Sequence, residues 1–215
     1  MLGVALTAQR FRPFVTGFPV YDSWFGKMIG QYLNGELGTL EAVDPHFTAM
    51  LYAGDRFEAK ERLIQALEEG RLVVADRYIA SNLAHQTARV AAEKRAEFRA
   101  WIEHLEYEIY GLPRANLTIY LRVPASEAQK LVAQKSSRSY TNAKRDLQES
   151  SLRHLEQAAL MYDLLSQGDG WMTVDCFDSM VGRMRERQEI AADVLAAVQT
   201  EVSRGHSSPA SKDRK

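Results

Sequence analysis

Apolar residues along this chain arrive in two rhythms. Short segments rich in apolar residues at 14–17, 72–75, 117–123 and 171–176, of which 72–75 is continuous, predict strands, and the stretches between them repeat their apolar positions at helical spacing. Met1 to Arg12 reads as the last turns of a helix stopped by Pro13. Ser23 or Asp22 caps a helix over 24–33 that ends at Asn34-Gly35, and Gly70 ends a single long helix over 46–69. Further helices are expected from Ser81 onward, over 98–110 before Gly111-Leu112-Pro113, and over 126–135, 147–165 and 180–201. The polar stretch from Ser203 is expected to be a disordered tail, leaving one domain over 1–202.

Strands separated by helices, without hairpin signals or internal repeats, predict an α/β fold with a parallel sheet. The segment 72–86 organises the rest, because its apolar run ends abruptly in Asp76-Arg77-Tyr78. Open α/β sheets bind ligands at the carboxyl ends of their strands. A carboxylate beside a guanidinium there suits a phosphate or metal-phosphate group, although an ordinary ion pair capping the next helix would look the same.

Composition narrows the partners. The 215 residues are 46% hydrophobic and 26% charged, with a net charge of -1, which leaves no electrostatic footprint for nucleic acid or an anionic membrane. An anionic ligand must therefore be held by local arginines. One cysteine, Cys176, excludes an internal disulfide and a cysteine-rich zinc cluster. No apolar run spans a bilayer and no signal peptide is evident, so a soluble cytoplasmic protein is expected.

Three further segments bear on Asp76-Arg77. Tyr52 and Arg56 lie four apart on one helical face, where a ring can stack on a base and a guanidinium can bond its edge or a phosphate. A half-buried tyrosine with a solvated arginine is the plainer alternative. Asn82 and Gln86, also four apart, offer amides to a base edge or else a cap. The basic loop 135–141, with Arg138, has the composition of a lid over phosphates, or of a solvated loop.

In this order and spacing the segments resemble the thymidylate kinase family from Phe14 onward. The resemblance implies a P-loop NTPase-like parallel sheet flanked by helices and transfer of the terminal phosphoryl group of ATP to dTMP with Mg2+. It implies a dTMP site of Phe18, Tyr21, Tyr52, Arg56, Arg77, Asn82 and His85, with His85 near the sugar. Asp76, Arg77 and Arg138 fall at the reacting phosphates, Asp76 holding magnesium directly or through water and Arg138 engaging ATP. It further implies a homodimer formed through helices such as 98–110, and it gives Asp146 and Glu149 no individual roles.

Two departures stand out. Val20 replaces a basic residue of many relatives. The phosphate-loop pattern G-x-x-x-x-G-K-[ST] does not occur, since the only Gly-Lys pair, Gly26-Lys27, precedes Met28. By resemblance, the missing segment includes a first strand central to the sheet, so an incomplete N-terminus with open inner strand edges is expected. The chain as given is then expected to be inactive, and the alternative is a non-catalytic nucleotide-binding or dimerising member.

Overall fold

A computed structural model describes residues 2–133 and 146–207. Two parallel ladders form its frame. Strand β1 (Pro13–Gly17) pairs with β2 (Leu72–Asp76), registering Pro13 with Leu72 and Gly17 with Asp76. Strand β3 (Thr118–Arg122) pairs with β4 (Trp171–Asp175), registering Thr118 with Trp171 and Arg122 with Asp175. Among the described residues no strand joins the ladders. Interior strands of parallel sheets are covered on both faces, yet Leu72, Val73, Val74 and Ala75 of β2 are only partly buried.

The helices build the core. Helix α1 (Leu2–Ala8) leads into β1, and Ser23 caps α2 (Trp24–Leu33) by accepting from Gly26 N. Helix α3 (Pro45–Glu58) starts at Asp44, whose side chain accepts from His46 N. Gly54 of α3 meets Phe25 of α2 so closely that a Cβ would fall 2.5 Å from the ring. Helix α5 (Ile79–Thr87) follows β2 and is central: Ile79 and Leu83 pack with Ala49, Phe98, Ile102 and Leu112 on one side. Ala84 and Ala88 meet Ala158 and Met161 on another. Truncating a residue such as Ile102, fully buried here, costs about 2–5 kcal/mol.

Several expected boundaries change. The helix expected over 46–69 divides into α3 and α4 (Lys60–Glu68), because Ala59 turns tightly and its N–H bonds Arg56 O at 3.1 Å. After a short 3₁₀ turn (Ala92–Lys94), helix α6 (Arg95–Glu103) passes into a π-helical turn (His104–Ile109). Phe98, Ile102 and Leu105 of this segment face the core. Helix α7 covers Ala125–Ala133. The helix expected over 147–165 divides into α8 (Leu147–Ser150) and α9 (Leu152–Leu165), since Ser151 is extended and caps α9 through His154 N. Asp146 and Glu149 form a capping box at the start of α8.

The expected helix over 180–201 starts late. Strands β5 (Phe177–Asp178) and β6 (Arg183–Met184) make a small antiparallel hairpin instead. Asp178 accepts from Met180 N and Val181 N, and Gly182 takes the left-handed conformation that the turn needs. Helix α10 (Arg187–Ser207) then runs beyond the expected start of the tail at Ser203. Cys176 is buried, with its thiol against Val174 O, in keeping with a packing role. No helix of the described residues is long and apolar enough to cross a membrane.

Candidate functional site

The loop leaving β1 is fastened from two sides. Phe18 N donates to Asp76 O at 2.9 Å, and the Phe18–Pro19 peptide is cis. Val20 N donates to both carboxylate oxygens of Asp55 at 3.1 Å each, and Ser23 Oγ donates to Asp55 Oδ1 at 3.0 Å. Gly26 makes this closure possible, since a Cβ there would stand 1.8 Å from Val20 O. Burial pushes the Asp55 carboxyl above its ordinary range, against the pull of Ser23 and Val20. Asp55 thus clamps the loop to α3 and holds Phe18 in place.

On α3, Arg56 is almost fully buried. Its Nε donates to Glu106 Oε2 at 2.9 Å and its Nη2 to Glu106 Oε1. Asn82 Nδ2 donates to Glu106 Oε1 at 2.8 Å and to Ala49 O at 3.0 Å. Both Asn82 contacts are acceptors, so the amide orientation is fixed and Oδ1 must point elsewhere. Glu106, fully buried, is carried on the π-helical turn, a local irregularity often found where a side chain must be aimed. A solvated Arg56 is therefore excluded.

These side chains share a cavity that opens to solvent. Phe18, Tyr52, Arg56, Arg77, Asn82 and His85 line it, together with Pro19, Ser81, Gln86 and Gln148. One buried polar atom on this lining, Asn82 Oδ1, has no hydrogen-bond partner among the described residues. Buried groups of this kind are costly unless something satisfies them. Arg56 Nη1 is likewise unused by Glu106.

Arg77 lies where the chain leaves β2, with φ 62, a left-handed conformation uncommon outside glycine. Held there, an arginine signals a constraint beyond local preference. Along α5, Ser81 Oγ accepts from Tyr162 OH at 2.9 Å, and His85 Nδ1 lies 3.2 Å from His154 Nε2. Loss of hydration, then Arg77 and His154, hold the His85 pKa well below the ordinary histidine value. Burial, then Arg89, lowers His154 to about 4, with Glu41 opposing.

Not every expected residue joins the cavity. Tyr21 packs against the cluster of Ile29, Tyr32 and Leu33 rather than lining it. Asp76 is exposed at the end of β2, outside the lining, and its carboxylate makes no hydrogen bond among the described residues. Arg138 lies outside the described residues. Gln86 is committed to structure, its Oε1 accepting from Thr48 Oγ1 at 2.8 Å and from Arg89 Nη1 at 2.9 Å. Sequence reasoning missed Glu106 and Gln148, each a polar residue within a stretch read only for its apolar stripe. Among the described residues no cluster of three or more histidine, cysteine or acidic side chains could hold a metal alone.

Comparison with known proteins gives a consistent likeness. The Thymidylate kinase family profile matches residues 2–180. A thymidylate kinase of Mycobacterium tuberculosis (strain CDC 1551 / Oshkosh) is 30% identical over 161 residues, covering 73% of this chain and 74% of that protein. A thymidylate kinase of Thermomicrobium roseum is 29% identical over 209 residues, covering 95% and 91% respectively. The solved thymidylate kinase of Candida albicans superposes with a TM-score of 0.68 at 16% identity, covering 92% of this chain and 84% of that one, which is a likeness of fold.

Proposed function

The chain belongs to the thymidylate kinase family, and on that footing we propose that its cavity binds dTMP as acceptor for the terminal phosphoryl group of ATP. One observation carries this reading: a donor that cannot become an acceptor, Arg56 Nη1, shares the cavity with an acceptor that has no partner among the described residues, Asn82 Oδ1. The imide edge of thymine presents the complementary pair, a carbonyl oxygen beside an N–H, and Tyr52 offers a ring face for stacking. Arg77, which lines the cavity just past the carboxyl end of β2, would pair with the phosphate.

In this reading the residues act chiefly by position and charge. Arg77 would fork two donors onto phosphoryl oxygens and stabilise the charge that shifts during transfer. Asp76 fits magnesium, which takes one or two carboxylates and fills its remaining positions with phosphate oxygens and water. Bound magnesium supplies charge neutralisation at the donor phosphates. Arg138 is assigned to the ATP phosphates, and a homodimer through the α6 region remains part of the proposal.

Calorimetric titration of dTMP, dUMP, CMP and AMP tests the acceptor. Thymine specificity requires dTMP to bind tightest, and AMP binding as tight or tighter would sink it. A second reading, nucleotide binding without turnover, is favoured for these 215 residues by the absence of the phosphate-loop pattern. ADP production with dTMP as acceptor separates the two. We expect none, and measurable turnover would return the chain to the catalytic reading.

A further inference from the structure

We propose that His154 is a positioning residue that fixes His85 in the tautomer whose Nε2–H donates to a sugar hydroxyl of the bound nucleoside monophosphate, an inference that rests on the acceptor reading above. His85 lines the cavity whereas His154 does not. The 3.2 Å contact engages His85 Nδ1, which leaves Nε2, on the other side of the ring, for the ligand. Tyr162 meets the same ring edge to face, with centroids 5.9 Å apart, and His154 is itself buried. The His85 ring, carried on α5, is therefore held by two residues of α9.

A hydrogen bond between two neutral imidazoles needs one N–H and one lone pair. Burial first, then Arg77 beside His85 and Arg89 outweighing Glu41 beside His154, keeps both rings neutral at pH 7. Two arrangements are then possible. If His85 Nδ1 carried the hydrogen, His85 would turn a bare acceptor to the cavity and force His154 into its Nδ1–H form. If His154 Nε2 carries it, both rings adopt the Nε2–H form that free histidine side chains favour, and His85 offers the cavity a donor. The second arrangement satisfies both rings. The ligand group follows from the acceptor reading: with the phosphate assigned to Arg77 and the polar base edge to Arg56 and Asn82, the sugar hydroxyl, near which the family resemblance puts position 85, is the group assigned to His85.

The test is carried out on the full chain. Nitrogen NMR of the free protein at pH 7 is expected to find both histidines protonated at Nε2, and His85 protonated at Nδ1 would overturn the assignment. Calorimetry then compares dTMP with 2′,3′-dideoxythymidine monophosphate, which lacks the sugar hydroxyl. His154→Ala should free the His85 ring to turn as well as to exchange tautomers, so that the sugar contact is lost and dTMP weakens about three- to tenfold, the loss of one ordinary hydrogen bond, while the dideoxy ligand is unchanged. His154→Gln, whose amide N–H replaces the lost donor, should restore both the tautomer and the preference for dTMP. Equal weakening of both ligands, or weakening without a tautomer change, would overturn the positioning role. Complete absence of dTMP binding to the unmodified chain would instead overturn the acceptor reading, and the sugar contact with it.

Discussion

Arg56 and Glu106 meet in a buried two-pronged ion pair, and it is Glu106 rather than solvent that aims the arginine at the cavity. The carboxylate also receives Asn82, so both groups assigned to the base edge hang on one residue. Glu106→Gln leaves the guanidinium buried without its counter-charge, a change that costs on the order of 3–5 kcal/mol. Urea unfolding should register that loss. A variant as stable as the parent would mean that the pair is not held as described.

Tyr52 contributes a face rather than a polar group. Tyr52→Ala should weaken dTMP by about 1–3 kcal/mol if stacking on single-stranded bases is a fair guide. The bare sugar phosphate, deoxyribose 5-phosphate, has no base to stack, so its binding should be unchanged. Parallel losses for both ligands would argue against stacking.

Arg77 is strained for its task. Arg77→Gly relieves a positive φ and should leave stability unchanged or raised by about 1 kcal/mol, while dTMP affinity falls and thymidine, without a phosphate, binds as before. A thymidine affinity that falls with that of dTMP would show that Arg77 acts through the fold instead of the phosphate.

Acid should loosen the protein through His154. Its pKa is lowered from 6.5 to about 4, so on acidification the unfolded chain takes up a proton that the folded one refuses. Stability present above 6.5 is lost as pH falls towards 4, by about 2 kcal/mol at pH 5, and His85 acts in the same direction. Asp55 has the opposite sign: its raised carboxyl pKa favours the folded state as pH falls towards 3.8. His154→Gln should flatten the fall in urea midpoint between pH 7 and pH 5, and an unchanged slope would contradict the assignment.

The strands were legible as short segments rich in apolar residues between helical stretches, and β2, the one unbroken run, ends within one residue of its expected limit, at Asp76. The hairpin at Phe177 was not, since two-residue strands leave no alternation to detect, although Asp178 and Gly182 were turn signals. The break at Ala59 carries no glycine or proline. In the cavity, Tyr52 and Arg56 were found because helical spacing puts them within about a turn of each other on α3, and Asn82 through the same spacing from Gln86 on α5. Glu106 was missed because its partners lie 50 and 24 residues away, and only the packing of α3, α5 and the π-helical turn brings them together.

The separate ladders leave a signature in time as well as in space. A parallel strand bonded on one side commits alternate amides to its neighbour and turns the others outward. In β2 those others face the side away from β1, where no strand of the described residues receives them. Deuterium uptake along 72–76 should therefore alternate between slow and fast from one residue to the next, where a strand flanked on both sides would be slow throughout.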